Sequence, residues 1–560
     1  MKVIEGLPPK GTYDYVALDI EVFGAYSPQL HRPSRGGTFA CLSVCPDGKN
    51  VYLIQKQSDI DKALQRIDNA IWVFHNAVFD WPWLKYLVGG TLPDRPPGLF
   101  WDTIIIERDL WGGEFESFSL ADLSRRWLGK YLDKRDQTKF VDNQEMTPSM
   151  LQYAAKDALT TWQVREVQER FLDDDPQTWL VWNQIDAPAF WAIQAFKGFH
   201  LDKKRWLSLS TYFADEAEKI ESTLGFNPRS SAQTLEALAK CKIYPKMGKK
   251  PSTNEKVLAT YADDPLVQKI LECRGYSKSA NTYGAAFVEK YLEEDGCIHA
   301  QFEVTKAITG RLSSSSPNMQ NIPHDKQFRS CFTGRISRFD FSNQEPNITA
   351  VLTGDKNLIA AFNTGEDLHL TSTRIIYNDP TIQRDDERRR DGKGTFLAVV
   401  YGQWAGALAK ARKISEEDAE VFISRLDRRF PGIKIWSTAQ KKTAAKTRLV
   451  RSLLGRRIWI NSWMGFHADN LAINAPHQSS AADMIKLSLS NIYQRSGDDY
   501  CLVATVHDEN VADLNYCSVK NRKKMSTLIY DSMIDAANTT LKGMVPGKVE
   551  FTSGKNWAGN

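Results

Sequence analysis

Short apolar runs alternate with helical patterns over the first 170 residues of the chain. Continuous runs rich in β-branched and aromatic residues at 15–22, 51–54 and 70–74 predict buried strands. Apolar residues at helical spacing predict helices near 58–69 and 145–171. Strands that alternate with helices are typical of an α/β unit.

The rest of the chain predicts a second, larger unit. An acidic run with a proline at 173–176 marks a boundary. Residues 186–300 are mostly helical in pattern, and a long helical stretch follows from about 355 to 450. The segment 500–514 predicts a hairpin. The pattern as a whole therefore indicates an α/β protein of several domains.

Composition narrows the class of protein without indicating a function. The chain has 560 residues, 42% hydrophobic and 25% charged, which is enough for about three to five folded domains. Its formal net charge of +4 does not by itself indicate a nucleic-acid partner. No apolar stretch reaches the roughly 18 residues of a membrane helix. Eight scattered cysteines predict reduced thiols in a cytoplasmic compartment.

Acidic residues inside predicted buried elements are the first candidates for chemistry. Asp19 and Glu21 are two apart on a predicted strand, so both side chains leave the same face. Buried carboxylates repel each other unless a cation lies between them. Asp80 follows another predicted strand, and Tyr153 and Asp157 lie one helical turn apart. The alternative, a solvated edge strand, is disfavoured by the apolar residues that flank both strand acids.

These residues resemble the motifs of the DnaQ-like proofreading exonucleases, in the subtype that carries a tyrosine. The resemblance implies an RNase H-like exonuclease domain in which Tyr153 orients the attacking water. It also implies four carboxylate ligands for two divalent metal ions: Asp19, Glu21, Asp80 and Asp157. Oxygen ligands suit Mg²⁺, for which Mn²⁺ can substitute. Two such ions can activate the water and stabilise the leaving 3′ oxygen.

The polar stretch at 309–323 is the strongest motif in the chain. It reads TGRLSSSSPNMQNIP, a loop whose hydroxyls, amides and arginine can hold phosphates and base edges. A plain serine-rich loop is the alternative. The order of residues, however, closely resembles a signature of the family A DNA polymerases, which have leucine in place of Met319. The segments 338–345 and 505–509 resemble two further motifs of that family, and the resemblance implies a right-hand polymerase with palm, fingers and thumb.

The resemblance assigns roles to individual residues. Asp340 and Asp508 match two metal-binding aspartates of the palm, again for two Mg²⁺ ions, and Glu509 joins the catalytic set. Glu345 matches the residue that closes the sugar pocket against a 2′-hydroxyl. The expected dNTP-binding residues are Arg389, Lys393, Leu397, Tyr401, Glu345 and His507. The expected contacts to primer-template DNA are Arg311, Asn318, Gln320, Asn474, Gln478, Arg274 and Lys278.

Spacing alone also indicates a nucleotide-binding helix. Arg389, Lys393, Leu397 and Tyr401 are each four apart, so two cations precede two apolar groups along one face. That order suits a triphosphate beside the cations and a base beside the apolar pair. A solvated helix with a charge run is the alternative. Two departures from the family stand out, because it has an aromatic residue at the Leu397 position and an arginine at the Asn470 position.

Two other segments bear on partners. The basic stretch at 441–451 predicts a helix that contacts template phosphates, although a solvated basic face is an equally good interpretation. The span 227–311 has the length of a simple thumb. We therefore expect no insertion of the kind with which some phage relatives bind thioredoxin.

These patterns predict a template-directed, primer-dependent DNA polymerase with a 3′→5′ proofreading exonuclease. The expected domains are an exonuclease at 1–175, a thumb at 180–305, fingers at 355–464, and a palm at 306–354 and 465–560. The short stretch before Asp19 leaves no room for a 5′ nuclease, which favours a phage replicative enzyme. We expect a cytoplasmic monomer with helicase, primase or single-strand-binding partners. A degenerate DNA-binding scaffold and a single-subunit RNA polymerase are the alternatives.

Overall fold

The structure, a computed structural model, describes residues 1–24, 33, 36–90, 92, 100–142, 145–461, 464–465 and 467–559. Across these ranges, no helix combines the length and the apolar character that a membrane crossing requires. Strands and helices form an N-terminal unit around one mixed sheet, followed by a larger unit around an antiparallel sheet.

The N-terminal unit is an α/β layer structure. Its strands are β1 Lys2–Glu5, β2 Tyr15–Phe23, β3 Thr38–Cys45, β4 Asn50–Ile54, β5 Ile71–Phe74 and β6 Trp101–Asp102. They form one six-stranded sheet in the order β1-β4-β3-β2-β5-β6. Its helices are α1 Ile60–Gln65, α2 Ala77–Leu87, α3 Thr103–Trp111, α4 Leu120–Leu123, α5 Lys139–Asp142, α6 Pro148–Asp173, α7 Pro176–Val181 and α8 Ala187–Gln194. The three predicted strands are therefore confirmed to within one residue.

Local sequence explains the two predicted helices. The long helix α6 begins after Thr147, whose hydroxyl accepts a hydrogen bond from the backbone N–H of Met150 at 3.4 Å, with a proline in its first turn. It packs on β2 and β3 through a buried face. The helix expected at 58–69 is shorter, because a 3₁₀ turn at Gln57–Asp59 replaces its start and α1 ends at Gln65.

A helical region follows the N-terminal unit. Its elements are β7 Phe199–His200, α9 Lys203–Leu224, α10 Ser231–Lys240, β8 Lys246–Met247, β9 Lys250–Pro251, α11 Glu255–Leu258, α12 Pro265–Thr282 and α13 Ala285–Tyr291. The helices α9 and α12 pack against each other along their length. This arrangement agrees with the mostly helical pattern of residues 186–300.

The centre of the second unit is an antiparallel sheet. The next elements are β10 Cys297–Ile298, β11 Gln301–Glu303, β12 Ser313–Ser315, α14 Lys326–Arg329, β13 Thr333–Phe341 and α15 Gln344–Thr353. Nearer the C-terminus lie α22 His467–Ser496, β16 Leu502–Val506, β17 Glu509–Asp513, α23 Arg522–Thr540 and β18 Val549–Asn556. The sheet has the order β16-β17-β13-β18, and the hairpin predicted at 500–514 is its β16-β17 pair.

The long helical stretch expected from 355 to 450 is divided into separate helices. They are α16 Lys356–Asn363, α17 Leu368–Tyr377, α18 Arg388–Val400, α19 Ala405–Arg412, α20 Glu416–Arg429 and α21 Pro431–Thr447. The short strands β14 Leu449–Arg451 and β15 Arg457–Trp459 close this region as a hairpin. Prolines and left-handed residues at the helix ends explain the divisions, since neither continues an α-helix.

The basic helix predicted at 441–451 is wrong beyond Thr447. Arg448 adopts a left-handed conformation, with a φ of 56°, and ends α21. Its guanidinium pairs with Glu114 at 2.5 Å, and that of Arg451 pairs with Asp175 at 3.0 Å. Two of the predicted phosphate contacts therefore bind acidic residues of, or next to, the N-terminal unit.

A fully buried ionic cluster joins the two units. Arg456, between β14 and β15, reaches Asp109 at 2.5 Å, Asp186 at 2.8 Å and Asp483 at 2.7 Å. Lys486 adds a 2.5 Å contact to Asp186. Since Asp109 lies on α3 and Asp483 on α22, the cluster ties the N-terminal unit to the core of the second unit.

Candidate active sites

Three of the predicted carboxylates in the N-terminal unit converge on one point. Asp19 and Glu21 lie on β2, and Asp157 lies on α6, which packs on that strand. One oxygen atom from each carboxylate lies within 4.8 Å of the others, a spacing at which the three can hold a metal ion. The alternation of side chains along β2 puts the two strand acids on one face, as the sequence predicts.

Asp80 lies beside this cluster. Its Oδ1 accepts a hydrogen bond from the backbone N–H of Ile20 at 3.0 Å, next to Asp19. The start of α2 is fixed by Asp102, whose Oδ2 accepts a hydrogen bond from the N–H of Ala77 at 2.7 Å. Burial and the Asp19 carboxylate raise the pKa of Asp80 well above its usual value. Asp80 therefore belongs to the same electrostatic site, with one oxygen already bound to the strand.

Burial and mutual repulsion act on the carboxylates of the cluster. Burial and the Asp157 carboxylate raise the pKa of Asp19 to about 7. Burial and Asp19 raise the pKa of Glu21 well above its usual value. Among the described residues, Asp19 Oδ2 and Asp157 Oδ1 are buried without a hydrogen-bond partner. Such oxygens are suitable ligands for a hard divalent cation, so the residues present fit the expected metal site.

Tyr153 joins the cluster as predicted, and so does a lysine that the sequence analysis missed. Lys134 Nζ donates to Tyr153 Oη at 3.1 Å and contacts Asp157 Oδ2 at 2.5 Å. Burial and the nearby carboxylates raise the pKa of Tyr153 far above its usual range, so its hydroxyl stays protonated. The signal in the sequence was weak, because Lys134 lies in a polar loop before α5 that has no periodic pattern.

The two palm aspartates meet on the antiparallel sheet. Asp340 lies on β13 in register with Glu509, and Asp508 lies in the turn between β16 and β17. The N–H of Phe341 donates to the backbone oxygen of Asp508 at 3.2 Å, which holds the turn against β13. Burial and the Asp508 carboxylate raise the pKa of Asp340 to about 7. Burial also raises the pKa of Asp508. Two adjacent acids with raised pKa values fit a divalent cation.

A cavity of about 940 Å³ opens beside these aspartates. That volume lies within the range of about 300–1,000 Å³ that is typical of ligand pockets. The predicted site residues that line it are Asp340, Asp508, Glu345, Arg389, Lys393, Leu397, His507, Arg311 and Gln320. Phe396 is fully buried whereas Leu397 faces the cavity, which agrees with the predicted register of α18.

Glu345 is held from two sides. Its Oε2 accepts a hydrogen bond from the hydroxyl of Tyr401, and its Oε1 pairs with Arg311 Nη2 at 3.1 Å. Burial and the Glu345 carboxylate raise the pKa of Tyr401, so the phenol remains a donor. Folding therefore links three predicted residues from separate motifs into one contact at the cavity wall.

The cations of α18 are arranged along the same cavity. Arg389 Nη2 pairs with Asp367 Oδ2 at 3.0 Å, and Arg384 Nε pairs with the same oxygen at 3.0 Å. These contacts and a backbone hydrogen bond from Leu370 outweigh burial and lower the pKa of Asp367 to about 2. Asp367 therefore holds the guanidinium of Arg389 at the cavity.

Glu509 is engaged differently from the two palm aspartates. Its Oε2 accepts a hydrogen bond from Arg338 Nε at 2.7 Å, and its Oε1 accepts one from Trp557 Nε1 at 2.9 Å. Both carboxylate oxygens thus have donors. The catalytic role of Glu509 stays a prediction.

The predicted DNA contacts near the cavity are partly exposed. Asn318 Oδ1 caps a short 3₁₀ turn by accepting from the N–H of Gln320 at 3.0 Å, and Gln320 Nε2 donates to the backbone oxygen of Leu312 at 3.0 Å. Asn474 and Gln478 lie four apart on α22, so they share a face of that helix. His507, in a left-handed conformation with a φ of 58°, stacks at 6.3 Å on His324.

The two predicted DNA contacts of the thumb, Arg274 and Lys278, have different environments. Arg274 donates to the backbone oxygen of Pro228 at 2.6 Å and to that of Thr253 at 2.5 Å. Its guanidinium therefore ties thumb segments together, whereas Lys278, one turn later on α12, is exposed. Lys278 is the more exposed of the pair, and both residues stay predicted DNA contacts.

The fold and the two sites define an exonuclease domain followed by a polymerase domain. The family model for 3′-5′ exonuclease matches residues 8–170. The family model for DNA polymerase family A matches residues 204–559, more than half of the chain. The chain belongs to the family A DNA polymerases, and the order of domains and the α/β fold class that the sequence predicts are confirmed.

Similar proteins come from bacteria. DNA polymerase I of Aquifex aeolicus is 28% identical over 564 residues, which cover 91% of this chain and 92% of that protein. DNA polymerase I of Pseudomonas aeruginosa is 32% identical over 326 residues, 55% of this chain and 35% of that protein. The chain matches about a third to a half of the length of this and several other curated relatives.

A solved structure is similar over nearly the whole chain. It is the POL domain of Pol1 from M. smegmatis in complex with DNA primer-template and dNTP, with a TM-score of 0.82 and 25% identity. The match covers 97% of this chain and 95% of that one.

Proposed function

We propose that this protein is a template-directed, primer-dependent DNA polymerase that proofreads its product with a 3′→5′ exonuclease. The observation that carries the proposal is the presence of two separate carboxylate sites, one of them beside a cavity of nucleotide size. The similar M. smegmatis domain binds DNA primer-template and dNTP, which supports the same substrates here.

At the palm site, Asp340 and Asp508 would hold two Mg²⁺ ions, replaceable by Mn²⁺. These ions would help the primer 3′-hydroxyl to attack and would neutralise the leaving pyrophosphate. Lys393 binds the triphosphate together with Arg389, which exchanges its contact with Asp367 for one with phosphate. Glu509 completes the proposed catalytic set, and Arg338 and Trp557 hold its carboxylate on β17, where it is in register with Asp340 on β13.

Selection of the sugar depends on Glu345. Hydrogen bonds from Tyr401 and Arg311 fix its carboxylate at the cavity wall. A fixed side chain in this place leaves no space for a ribose 2′-hydroxyl. His507 and Leu397 line the same cavity and contact the nascent base pair. The proposed DNA contacts are Arg311, Asn318, Gln320, Asn474, Gln478, Arg274 and Lys278.

At the exonuclease site, the carboxylates of Asp19, Glu21, Asp80 and Asp157 would hold two Mg²⁺ ions that activate water and stabilise the leaving oxygen. Tyr153 keeps its proton and orients the attacking water through its hydroxyl. The reaction releases one nucleotide from the 3′ end of a strand.

We propose that the protein is a monomer in the cytoplasm of a bacterial cell, since the similar proteins are bacterial DNA polymerases. We further propose that it replicates phage DNA in such a cell, with helicase, primase or single-strand-binding partners. The thumb would carry no thioredoxin-binding insertion.

Primer extension tests the proposed activity. A 5′-labelled DNA primer on a DNA template should be extended with dNTPs and Mg²⁺, and extension should stop when the template strand is left out. The same primer with a mismatched 3′ end should be shortened when dNTPs are omitted. Extension with ribonucleotides alone would indicate an RNA polymerase, and binding without extension would indicate a DNA-binding scaffold.

A further inference from the structure

Lys134 is a charged group inside the exonuclease site for which the mechanism above has no use. Its ammonium contacts Asp157 Oδ2 at 2.5 Å and donates to Tyr153 Oη at 3.1 Å. It also lies 5.0 Å from the centre of the Tyr153 ring, within the range of a cation–π interaction. The side chain is 30% exposed, so it reaches the site from the solvent side.

The charge of Lys134 acts on the whole cluster. It lowers the pKa of Asp19, of Glu21 and of Asp157, each of which burial raises. The ammonium is therefore a counter-ion of the cluster. It contacts an oxygen of Asp157, the residue that also supplies a buried, unpartnered oxygen to the candidate metal site.

A cation in this position competes with a metal ion. A divalent ion at Asp157 and the ammonium of Lys134 both require the same carboxylate, and like charges close together repel. Lysine carries its charge on a flexible four-carbon stem, so the ammonium can move without a change in the backbone. An ammonium that leaves Asp157 needs another anion. A DNA strand that enters the site from the solvent side supplies one in its phosphate.

We propose that Lys134 is a catalytic residue of the exonuclease, whose ammonium leaves Asp157 when metal and DNA bind and then donates to a non-bridging oxygen of the scissile phosphate. This inference rests on the proposed exonuclease function. In the reaction the water oxygen bonds to phosphorus, and the bond from phosphorus to the 3′ oxygen breaks. The attacking water releases one proton to solvent, the electron pair of the broken bond stays on the 3′ oxygen, which takes a proton from solvent, and Lys134 transfers no proton.

The expected signature is a pair of opposite effects. Lys134→Met removes the competing cation, so Mn²⁺ should bind the exonuclease site more tightly in the absence of DNA. The same change removes a charged donor to the phosphate, so the cleavage rate should fall by about a hundredfold or more. Lys134→Arg keeps the charge and should recover part of the rate. A residue with only a structural role would weaken metal binding and cleavage together.

The experiment uses the full chain in an Asp340→Ala, Asp508→Ala background, so that Mn²⁺ binds the exonuclease site alone. Mn²⁺ affinity is measured by electron paramagnetic resonance, and cleavage is measured as a single-turnover rate on pre-bound, labelled single-stranded DNA. The matched control is Lys130→Met, because Lys130 contacts Gln163 at 3.0 Å outside the site, and it should change neither quantity.

The outcomes separate the two proposals. A background protein that degrades no DNA overturns the exonuclease function itself. If it degrades DNA and Lys134→Met cleaves at the same rate, the catalytic role of Lys134 is wrong. Weaker Mn²⁺ binding in Lys134→Met also overturns the inference, since that result assigns the lysine a supporting role in the site. Tighter Mn²⁺ binding with slower cleavage supports it.

Discussion

Replacing Arg456 with methionine should destabilise the protein strongly, because Arg456 is the centre of a buried ionic cluster. Its side chain is 2% exposed, and its partners Asp109, Asp186 and Asp483 are at most 1% exposed. Removing one partner from a buried pair costs about 3–5 kcal/mol, since the opposite charge stays buried. The expected loss in the free energy of unfolding is therefore about 3–5 kcal/mol.

The charges of the cluster predict that a second substitution restores part of the stability that Arg456→Met removes. Burial and the Asp186 carboxylate raise the pKa of Asp109 well above its usual value. The cluster holds three carboxylic groups, Asp109, Asp186 and Asp483, beside two cations, Arg456 and Lys486. Arg456→Met removes one of the two cations, and adding Asp483→Asn removes one of the carboxylates that it faced. The double variant should thus be more stable than Arg456→Met alone, although Asp483→Asn by itself should destabilise the protein.

Urea unfolding followed by tryptophan fluorescence measures these effects. With a slope of roughly 3 kcal/mol per molar urea, the midpoint of Arg456→Met should fall by about 1–1.7 M. The control is Arg125→Met, whose surface pair with Asp122 is 76% exposed on the arginine side and should cost less than about 1 kcal/mol. If adding Asp483→Asn lowers the urea midpoint of Arg456→Met further, the loss of stability does not come from an unpaired buried charge, and the reasoning is wrong.

Three other predictions concern the polymerase site. Glu345→Ala should raise the incorporation of ribonucleotides relative to deoxynucleotides, and an unchanged ratio in a single-nucleotide extension assay would refute its role in sugar selection. Leu397→Tyr should increase dideoxynucleotide use, because it places a hydroxyl in the cavity, whereas Phe396→Tyr should not. If the chain-termination ratio responds only to Phe396→Tyr, the predicted register of α18 is wrong. The pKa of Asp340 is raised to about 7. Below pH 7, the Asp340 carboxyl group must therefore lose its proton before it can bind Mg²⁺. The Mg²⁺ affinity measured from extension should therefore fall by about tenfold per pH unit below 7, and equal affinities at pH 6 and pH 8 would count against this assignment.

Sequence predicts the parts of both sites that local spacing determines. The two-residue spacing of Asp19 and Glu21 fixes a shared face on a strand, and the hairpin tip fixes the place of Asp508. Contacts between segments that are far apart in the sequence could not be predicted in this way. Lys134 lies in a loop without a pattern, and nothing local indicates that its ammonium reaches Asp157.

The basic stretch shows why long-range partners matter. The pattern at 441–451 is helical, yet Arg448 ends the helix and pairs with Glu114, a residue far away in the sequence. The same holds for Arg456, whose three acidic partners come from α3, the turn before α8, and α22. Charge patterns along the chain cannot distinguish such long-range ion pairs from a surface that binds DNA.

If one chain carries two separate metal-dependent sites, substitutions at one site should leave the other activity intact. Primer extension and degradation of single-stranded DNA are measured on the same preparations of Asp340→Ala, Asp508→Ala, Asp19→Ala and Asp157→Ala. We expect the first two variants to lose extension and keep degradation, and the last two to lose degradation and keep extension. A palm variant that extends at the rate of the unmodified protein, or one substitution that removes both activities while the fold is intact, would contradict the account.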